Sequence, residues 1–284
     1  MYREKLELKD RVAIVTGAGR GLGRQMALAL ARAGANIVAA ARSQDQIEGT
    51  AREVEALGRR PDGRPQRGGP FGRALAVPTD VRDSAAVDKL IQRCLQEFGR
   101  LDIMLSNAGI GEAVTQGKEL WDVSDDEWHD TLEVNLSGTF YCARAAARHM
   151  VQQRSGVIIN VGSGTALRGY AANFAYGAAK AGVIALTKSL AVMLVRHNVR
   201  VNCIIPGFIV QSPPADQQAA DFIRERGTYV PVQRLGEAWE LGALAIFLAS
   251  DASSYITGHG FIIDGGGLAG GCAPVGFAPE VRMA

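Results

Sequence analysis

The sequence predicts an α/β fold in one domain: a doubly wound parallel sheet of seven strands with helices on both faces. Two observations carry this prediction. Short, continuously apolar runs alternate along the 284 residues with longer stretches rich in Ala, Leu, Arg and Glu. The apolar runs lack the alternating pattern of a half-exposed strand, which is typical of parallel strands covered on both faces. No linker-like change of composition divides the chain, so we expect a single domain over residues 1–284.

Seven apolar runs are the predicted strands. They cover residues 12–15, 36–40, 74–77, 103–105, 157–161, 201–205 and 260–263. The stretches between them are the predicted helices, since parallel neighbours need a crossover connection. Two segments fit neither pattern. Residues 59–73, rich in Arg, Gly and Pro, are predicted to form a mobile surface loop, and residues 268–284 an extended arm or a disordered end.

Composition excludes several classes of function. The 31 Lys and Arg residues against 29 Asp and Glu give a net charge of +2, which does not indicate a nucleic-acid-binding surface. The first residues do not contain the apolar core of a secretory signal, and no charge-free apolar stretch is long enough for a membrane span. We therefore expect a cytoplasmic protein without nucleic-acid or membrane partners.

The cysteine and histidine spacing predicts neither disulfides nor a metal site. The four cysteines lie far apart, and we interpret Cys94, Cys142 and Cys203 as core residues in a reducing compartment. No two of the four histidines lie four residues apart on a helix. In the acidic run that begins at Ser124, the Glu127 three residues later predicts a capping box rather than a set of metal ligands.

The turn after the first strand predicts a phosphate-binding site. Gly17, Gly21 and Gly23 follow that strand and open a helix, with Leu22 between the last two. Glycines allow the tight turn and let backbone N–H groups approach a pyrophosphate, while the helix N-terminus adds positive charge. This context between strand and helix predicts a nucleotide cofactor.

The end of the second strand indicates which dinucleotide is bound. NAD-binding domains carry an acid there for the ribose 2′-hydroxyl, whereas Arg42 and Ser43 stand at this point of the chain. A guanidinium pairs well with a 2′-phosphate, and Arg20 inside the glycine turn supplies a second cation. We therefore predict NADP(H) as the cofactor, with NAD(H) as the alternative.

A tyrosine and a lysine supply the candidate chemistry. Tyr176 and Lys180 are four residues apart, so they share one face of a predicted helix. A nearby ammonium lowers the pKa of a phenol, which makes Tyr176 a candidate general acid/base. Ser163 follows the strand 157–161, where its hydroxyl can bind the same substrate oxygen.

With these motifs the sequence resembles the short-chain dehydrogenase/reductases, and among them the branch of the 3-oxoacyl-[acyl-carrier-protein] reductases. The resemblance covers residues 8–267 and depends on the order and spacing of several motifs. These motifs are Thr16-Gly17-x-x-x-Gly21-x-Gly23, Asp80-Val81, Asn107-Ala108-Gly109, Asn135, Ser163, Tyr176-x-x-x-Lys180, Pro206-Gly207 and Asp264-Gly265-Gly266.

The resemblance implies a Rossmann fold and a role for each matching residue. Tyr176 would be the general acid/base, Lys180 would lower its pKa and hold the nicotinamide ribose, and Ser163 would orient the substrate oxygen. Asn135 would support a proton relay through water. The other implied cofactor contacts are Asp80 and Val81 at the adenine, Asn107, Ala108 and Gly109 at the adenine ribose, Pro206 and Gly207 at the nicotinamide, and Ile209. Where relatives often carry a Thr after Pro206-Gly207, this chain has Gln211.

The predicted function is NADP(H)-dependent reduction of a ketone, 3-oxoacyl or other, to a secondary alcohol, or the reverse oxidation. The alternatives are an NAD-dependent alcohol, polyol or sugar dehydrogenase and a non-catalytic nucleotide-sensing protein. We expect residues 166–175 and 209–229 to select the substrate, a small carbonyl or alcohol compound. Residues 164–175 carry no charge except Arg168, and Phe174 and Phe208 are apolar, which favours an uncharged or bulky ketone. The resemblance also implies a homotetramer packed through helices at 128–150 and 176–195.

Overall fold

The structure is a computed structural model that describes residues 4–58, 72–111, 118–169 and 173–270. The predicted loop at 59–73 lies outside the described residues except for its last two positions. The tail beyond residue 270 lies outside them as well. The mobility expected of the loop and the extended or disordered character expected of the tail therefore stay predictions.

Each of the seven apolar runs forms a strand of one sheet. The strands are β1 (Val12–Thr16), β2 (Asn36–Ala41), β3 (Ala74–Pro78), β4 (Ile103–Ser106), β5 (Gly156–Val161), β6 (Val199–Pro206) and β9 (Gly260–Ile263). Two further strands, β7 (Ile209–Val210) and β8 (Gly236–Glu237), pair with each other in a separate small sheet. The strand predictions are confirmed, with ends that extend at most two residues further.

Helices connect the strands, as parallel pairing requires. The helices of the described residues are α1 (Gly21–Arg32), α2 (Gln44–Leu57), α3 (Ser84–Phe98), α4 (Asp125–Leu132), α5 (Gly138–Gln153), α6 (Phe174–Leu194), α7 (Gln217–Gly227), α8 (Glu240–Ala249) and α9 (Gly267–Gly270). A π-helical turn at Glu133–Ser137 joins α4 to α5.

The sheet order is β3-β2-β1-β4-β5-β6-β9, and every neighbouring pair is parallel. The chain moves outward from β1 through β2 to β3, then returns to β4 and continues in the opposite direction. In such sheets ligands bind at the carboxyl ends of the strands, where the strand order reverses. The predicted doubly wound fold is confirmed, and its reversal lies between β1 and β4.

Two apolar layers cover the faces of the sheet. Ala13 and Val15 of β1 pack on one side with α1 and α8, whereas Val12 and Ile14 pack on the other side with α3 and α5. All four side chains are at most 1% exposed. Burial on both faces explains why the strands are continuously apolar.

Three further predictions can be compared with the described residues. Cys94, Cys142 and Cys203 are buried and free, as expected of core residues. The capping box is confirmed, because Ser124 Oγ accepts the backbone N–H of Glu127 and the Glu127 carboxylate accepts the N–H of Ser124. Within the described ranges no group of three potential metal ligands comes together.

Helix α6, together with the 3-10 turn that follows it, is long and apolar enough to cross a membrane by length and composition alone. Its packing gives a different reason for that composition. Ala179, Val183, Ala191 and Leu194 are buried. Val183 packs with residues of β6, and Ala191 and Leu194 belong to one of the two apolar layers. Its apolar residues therefore belong in part to the core of the fold.

Candidate active site

A cleft of about 630 Å³ runs along the carboxyl ends of the strands. Most of its walls come from the residues that directly follow β1 to β6, and residues of α2, α6, α7 and the π-helical turn complete them. The fold thus brings together segments that are far apart in sequence. Of the residues predicted for the site, all except Gly21 and Gly23 line this cleft. The lining residues among them are Gly17, Arg20, Leu22, Arg42, Ser43, Asp80, Val81, Asn107, Ala108, Gly109, Asn135, Ser163, Tyr176, Lys180, Pro206, Gly207 and Ile209.

The two exceptions shape the glycine turn instead of facing the cleft. Gly21 adopts a φ of +55°, which side chains disfavour, and this lets the chain enter α1. A Cβ on Gly23 would lie 2.3 Å from the carbonyl oxygen of Gly17 and 2.4 Å from Asn107 Nδ2. Only glycine fits there, because the first turn of α1 packs directly against the turn that precedes it.

A small network fixes the glycine turn to the end of β4. The Thr16 hydroxyl accepts the backbone N–H groups of Asn107 and Ala108, each at 3.1 Å. Asn107 Nδ2 donates to the carbonyl oxygens of Thr16 at 3.1 Å and Gly17 at 3.4 Å. The two strand ends that border the reversal of the sheet are thus held in register at the cleft.

One end of the cleft is cationic. Arg20 and Arg42 are exposed, and neither forms an ion pair within the part of the chain that the structure describes. Asp80 is instead paired with Arg82 at 2.7 Å. The hydrogen bond from Arg82, with a smaller contribution from the charge of Arg42, lowers the pKa of Asp80. This end can therefore hold an anion between two guanidinium groups that have no carboxylate partner.

Lys180 lies at the inner end of the cleft. Its ammonium donates to the carbonyl oxygen of Val161 at 3.0 Å and lies 5.6 Å from the ring centre of Tyr176. The residue is only 4% exposed, and this burial lowers the pKa of Lys180 to about 8. The predicted pairing of Tyr176 with a lysine cation on one helix face is present in the structure.

Ser163 and Asn135 border the same end. The Ser163 hydroxyl accepts a hydrogen bond from Thr165 Oγ1 at 2.9 Å, which leaves its own proton available to a substrate oxygen. Asn135 Nδ2 donates to the carbonyl oxygens of Ile110 and Thr131, each at 3.1 Å. Its Oδ1 is buried and accepts no hydrogen bond from the described residues. The π-helical turn produces this geometry, as such turns often do at functional sites.

Comparison with known proteins assigns the family. The family model described as enoyl-(acyl carrier protein) reductase matches residues 17–267. A 3-oxoacyl-[acyl-carrier-protein] reductase of Synechocystis is 36% identical over 261 residues, which cover 91% of this chain and 97% of that protein. A solved short-chain type dehydrogenase/reductase from Mycobacterium marinum, 33% identical, superposes with a TM-score of 0.82 and covers 94% of this chain and 98% of its own. The chain belongs to the short-chain dehydrogenase/reductase family.

This short-chain dehydrogenase/reductase also resembles a solved gluconate 5-dehydrogenase of Burkholderia cenocepacia, determined in complex with NADP and tartrate. That structure is 31% identical, has a TM-score of 0.80 and covers 95% of this chain and 99% of its own. The predictions of family, fold class and oxidoreductase activity are thereby confirmed. The cofactor preference and the roles of single residues stay predictions.

The structure adds residues that the motifs did not single out. Phe208, Gln211 and Arg226 line the cleft, and Arg168 lines a small cavity next to it. Gln211 reaches the glycine turn, where its Oε1 lies 3.0 Å from the position a Cβ on Gly21 would take. Arg226 is one of several charged residues on α7, so its position at the cleft could be found only after the helix was placed.

Proposed function

We propose that this short-chain dehydrogenase/reductase interconverts a ketone and a secondary alcohol with NADP(H) as its cofactor. The observation that carries the proposal is the convergence of Ser163, Tyr176 and Lys180 on the same cleft that Arg20 and Arg42 reach at its other end. The relatives are named for 3-oxoacyl groups and for gluconate, and conversion between a carbonyl and an alcohol is common to both.

The residues present fit a dinucleotide phosphate. Arg20 caps α1 without any side-chain hydrogen bond to its backbone, so the N–H groups of the first turn have no side-chain partner from the cap. This is the usual setting for a pyrophosphate at a helix N-terminus. At the end of β2, Arg42 offers a cationic donor and Ser43 a hydroxyl donor. That strand end carries no neighbouring acid, which suits the 2′-phosphate of NADP(H). Gln211 would hold the pyrophosphate from the opposite wall.

The chain itself would hold and move a proton. When bound, the nicotinamide supplies or accepts the hydride. Tyr176 donates its phenolic proton to the carbonyl oxygen during reduction and removes it from the alcohol during oxidation. Lys180 favours the charged phenolate because its ammonium lies beside the ring, and Ser163 orients the same oxygen by a hydrogen bond.

Asn135 and Lys180 suit a water between them. The Asn135 Oδ1 without a partner and the Lys180 ammonium both lie near Gly109: a Cβ built there would be 2.6 Å from Oδ1 and 3.6 Å from Nζ. A buried acceptor without a protein partner is a typical site for an ordered water. Such a water would return a proton to Lys180 after each turnover.

Parallel titration with NADPH and NADH tests the cofactor assignment. We expect a lower dissociation constant for NADPH, and we expect Arg42→Asp to weaken NADPH binding about 10- to 100-fold, the effect of a lost charge-assisted hydrogen bond. Arg52→Asp is the matched control, because Arg52 is exposed on α2 and does not line the cleft. An unchanged preference in the Arg42 variant would refute the assignment.

Tyr176→Phe tests the acid/base role. The variant keeps the ring and loses only the hydroxyl, so kcat should fall by about 100- to 10,000-fold while the cofactor still binds. Tyr229→Phe makes the same change outside the cleft and should leave kcat unaltered. Retained turnover in the first variant would remove the proposed mechanism.

The quaternary state and the compartment complete the proposal. We infer a homotetramer, which is supported by apolar side chains exposed on α6, among them Val192 at 80% and Met193 at 58%. We infer a cytoplasmic location, which is supported by the buried free cysteines. Light scattering should give four times the mass of the 30.1 kDa chain. Val192→Glu should reduce that mass if α6 forms the contact.

A further inference from the structure

Next to Ser163 the cleft opens into a second, smaller cavity of about 40 Å³. The two cavities share four residues, Ser163, Pro206, Gly207 and Phe208. Ser163 borders the reacting oxygen in the proposed mechanism, and Phe208 lines both cavities. The smaller cavity is therefore positioned for the part of a substrate that lies beside its carbonyl group.

Two arginines lie close to the Phe208 ring. The guanidinium carbon of Arg168 lies 5.8 Å from the centre of the Phe208 ring, and that of Arg226 lies at the same distance from it. Arg168 lines the smaller cavity and Arg226 lines the cleft. Within the described parts of the chain neither guanidinium has an ion-pair or hydrogen-bond partner. Arg226 also lies 4.8 Å from the centre of the Phe222 ring. Two guanidinium groups without an ion-pair partner in those parts of the chain place positive charge beside the reacting position.

The acids near these arginines balance only part of that charge. Asp264 is the carboxylate among the residues that line the smaller cavity. Its two oxygens already accept the backbone N–H groups of Gly266 at 2.9 Å and Leu268 at 2.7 Å. In the cleft the acidic lining residue is Asp80, which lies on the segment after β3 and is paired with Arg82. Lys180 adds a further cation at the inner end of the cleft.

The size of the smaller cavity indicates the kind of anion. A water molecule needs about 10–15 Å³ of such volume, so about 40 Å³ accepts roughly three heavy atoms, as many as a carboxylate has. Arginine also matches the flat geometry of a carboxylate by paired hydrogen bonds.

We propose that the substrate is an oxo acid or hydroxy acid whose carboxylate is held by Arg168 and Arg226 beside Phe208. This inference rests on the proposed function and narrows it to a charged substrate. It differs from the uncharged ketone that the sequence at residues 164–175 and at Phe174 and Phe208 favours, because the sequence does not show that α7 brings Arg226 close to Phe208.

Binding of compounds that cannot react tests the inference apart from catalysis. Isovalerate and isovaleramide have almost the same shape, and only the first carries a charge. With NADP⁺ present, calorimetry should show isovalerate binding about 10- to 100-fold more tightly than the amide. Arg168→Gln and Arg226→Gln should each remove most of this preference, and Arg168→Lys should retain part of it. Equal binding of the two compounds would overturn the proposal.

Arg224→Gln is the matched control for the variant on α7. Arg224 lies one half-turn away, is paired with Asp221 and does not line either cavity. The preference for isovalerate should be unchanged in this variant, and circular dichroism should show that all four proteins are folded. A loss of the preference in Arg224→Gln equal to that in Arg226→Gln would mean that the net charge of the surface, not the cavity, attracts the anion, and would overturn the proposal.

Turnover separates this inference from the proposed function. With NADPH, acetoacetate should show a KM about 10- to 100-fold lower than acetoacetamide, and Arg226→Gln should raise the first KM with little change in the second or in kcat. Reduction of both compounds with the same KM would overturn the inference and leave the proposed function intact. Absence of turnover with any ketone, together with preferential binding of isovalerate, would refute the proposed function and leave the anion site standing.

Discussion

Replacing Lys180 by methionine should make the protein more stable while it stops catalysis. Lys180 is 4% exposed, and its burial lowers the pKa from 10.5 to about 8. A shift of this size corresponds to about 3 kcal/mol of unfavourable free energy for the charged form in the folded state. Methionine removes this cost but leaves the carbonyl oxygen of Val161 without its donor, a loss of about 1–2 kcal/mol. Near pH 7 we expect a net gain of about 1–2 kcal/mol.

The pH dependence gives this prediction its sharpest test. The unfolded chain keeps the proton of Lys180 up to pH 10.5, whereas the folded protein releases it near pH 8. Between these values the wild-type protein gains about 1.4 kcal/mol of stability per pH unit, because the unfolded state binds more protons. Lys180→Met has no such gain. The excess of its free energy of unfolding over that of the wild type should thus be constant below pH 7.5 and should shrink as the pH rises above 8.

Urea unfolding followed by circular dichroism from pH 6 to 9.5, at one fixed protein concentration, measures the difference. Lys188→Met serves as the control, since Lys188 is exposed on the same helix and its replacement should give no pH-dependent difference. A Lys180 variant that is less stable at pH 7, or whose difference from wild type does not vary with pH, would refute the argument from burial.

Three other substitutions probe the site and the sheet that carries it. Gly23→Ala should abolish cofactor binding and lower the melting temperature, because the new Cβ would lie 2.3 Å from the Gly17 carbonyl oxygen. Cofactor titration and thermal unfolding measure these two effects. Normal cofactor binding in this variant would contradict the close packing at Gly23. Asp102→Asn should cost about 1–3 kcal/mol in urea unfolding, since the buried carboxylate accepts the Val12 N–H at 2.9 Å and pairs with an arginine. Gln211→Ala should raise the cofactor dissociation constant about tenfold by fluorescence titration without a change in kcat, and an unaltered constant would show that this side chain does not hold the cofactor.

The local sequence was sufficient to predict the strands, one side-chain pair on a helix and one helix cap. The strands could be predicted because burial on both faces leaves a continuous apolar run, which needs no knowledge of the neighbouring strands. Tyr176 and Lys180 could be paired because a helix fixes the relation between positions four apart. The capping box at Ser124 could likewise be predicted, because its hydrogen bonds join residues only three positions apart.

Only the tertiary structure decided which residues of separate elements come together. Arg168 follows β5 and Arg226 lies on α7, and no periodicity relates their positions, yet both lie against Phe208. The lowered pKa of Lys180 likewise depends on how much protein surrounds its ammonium, which is a property of packing. The sequence by itself determined the strands, the glycine turn and the pairing of Tyr176 with Lys180, because these follow from short-range geometry. The charge around them was decided by the folded chain, because electrostatic interactions depend on distances through space.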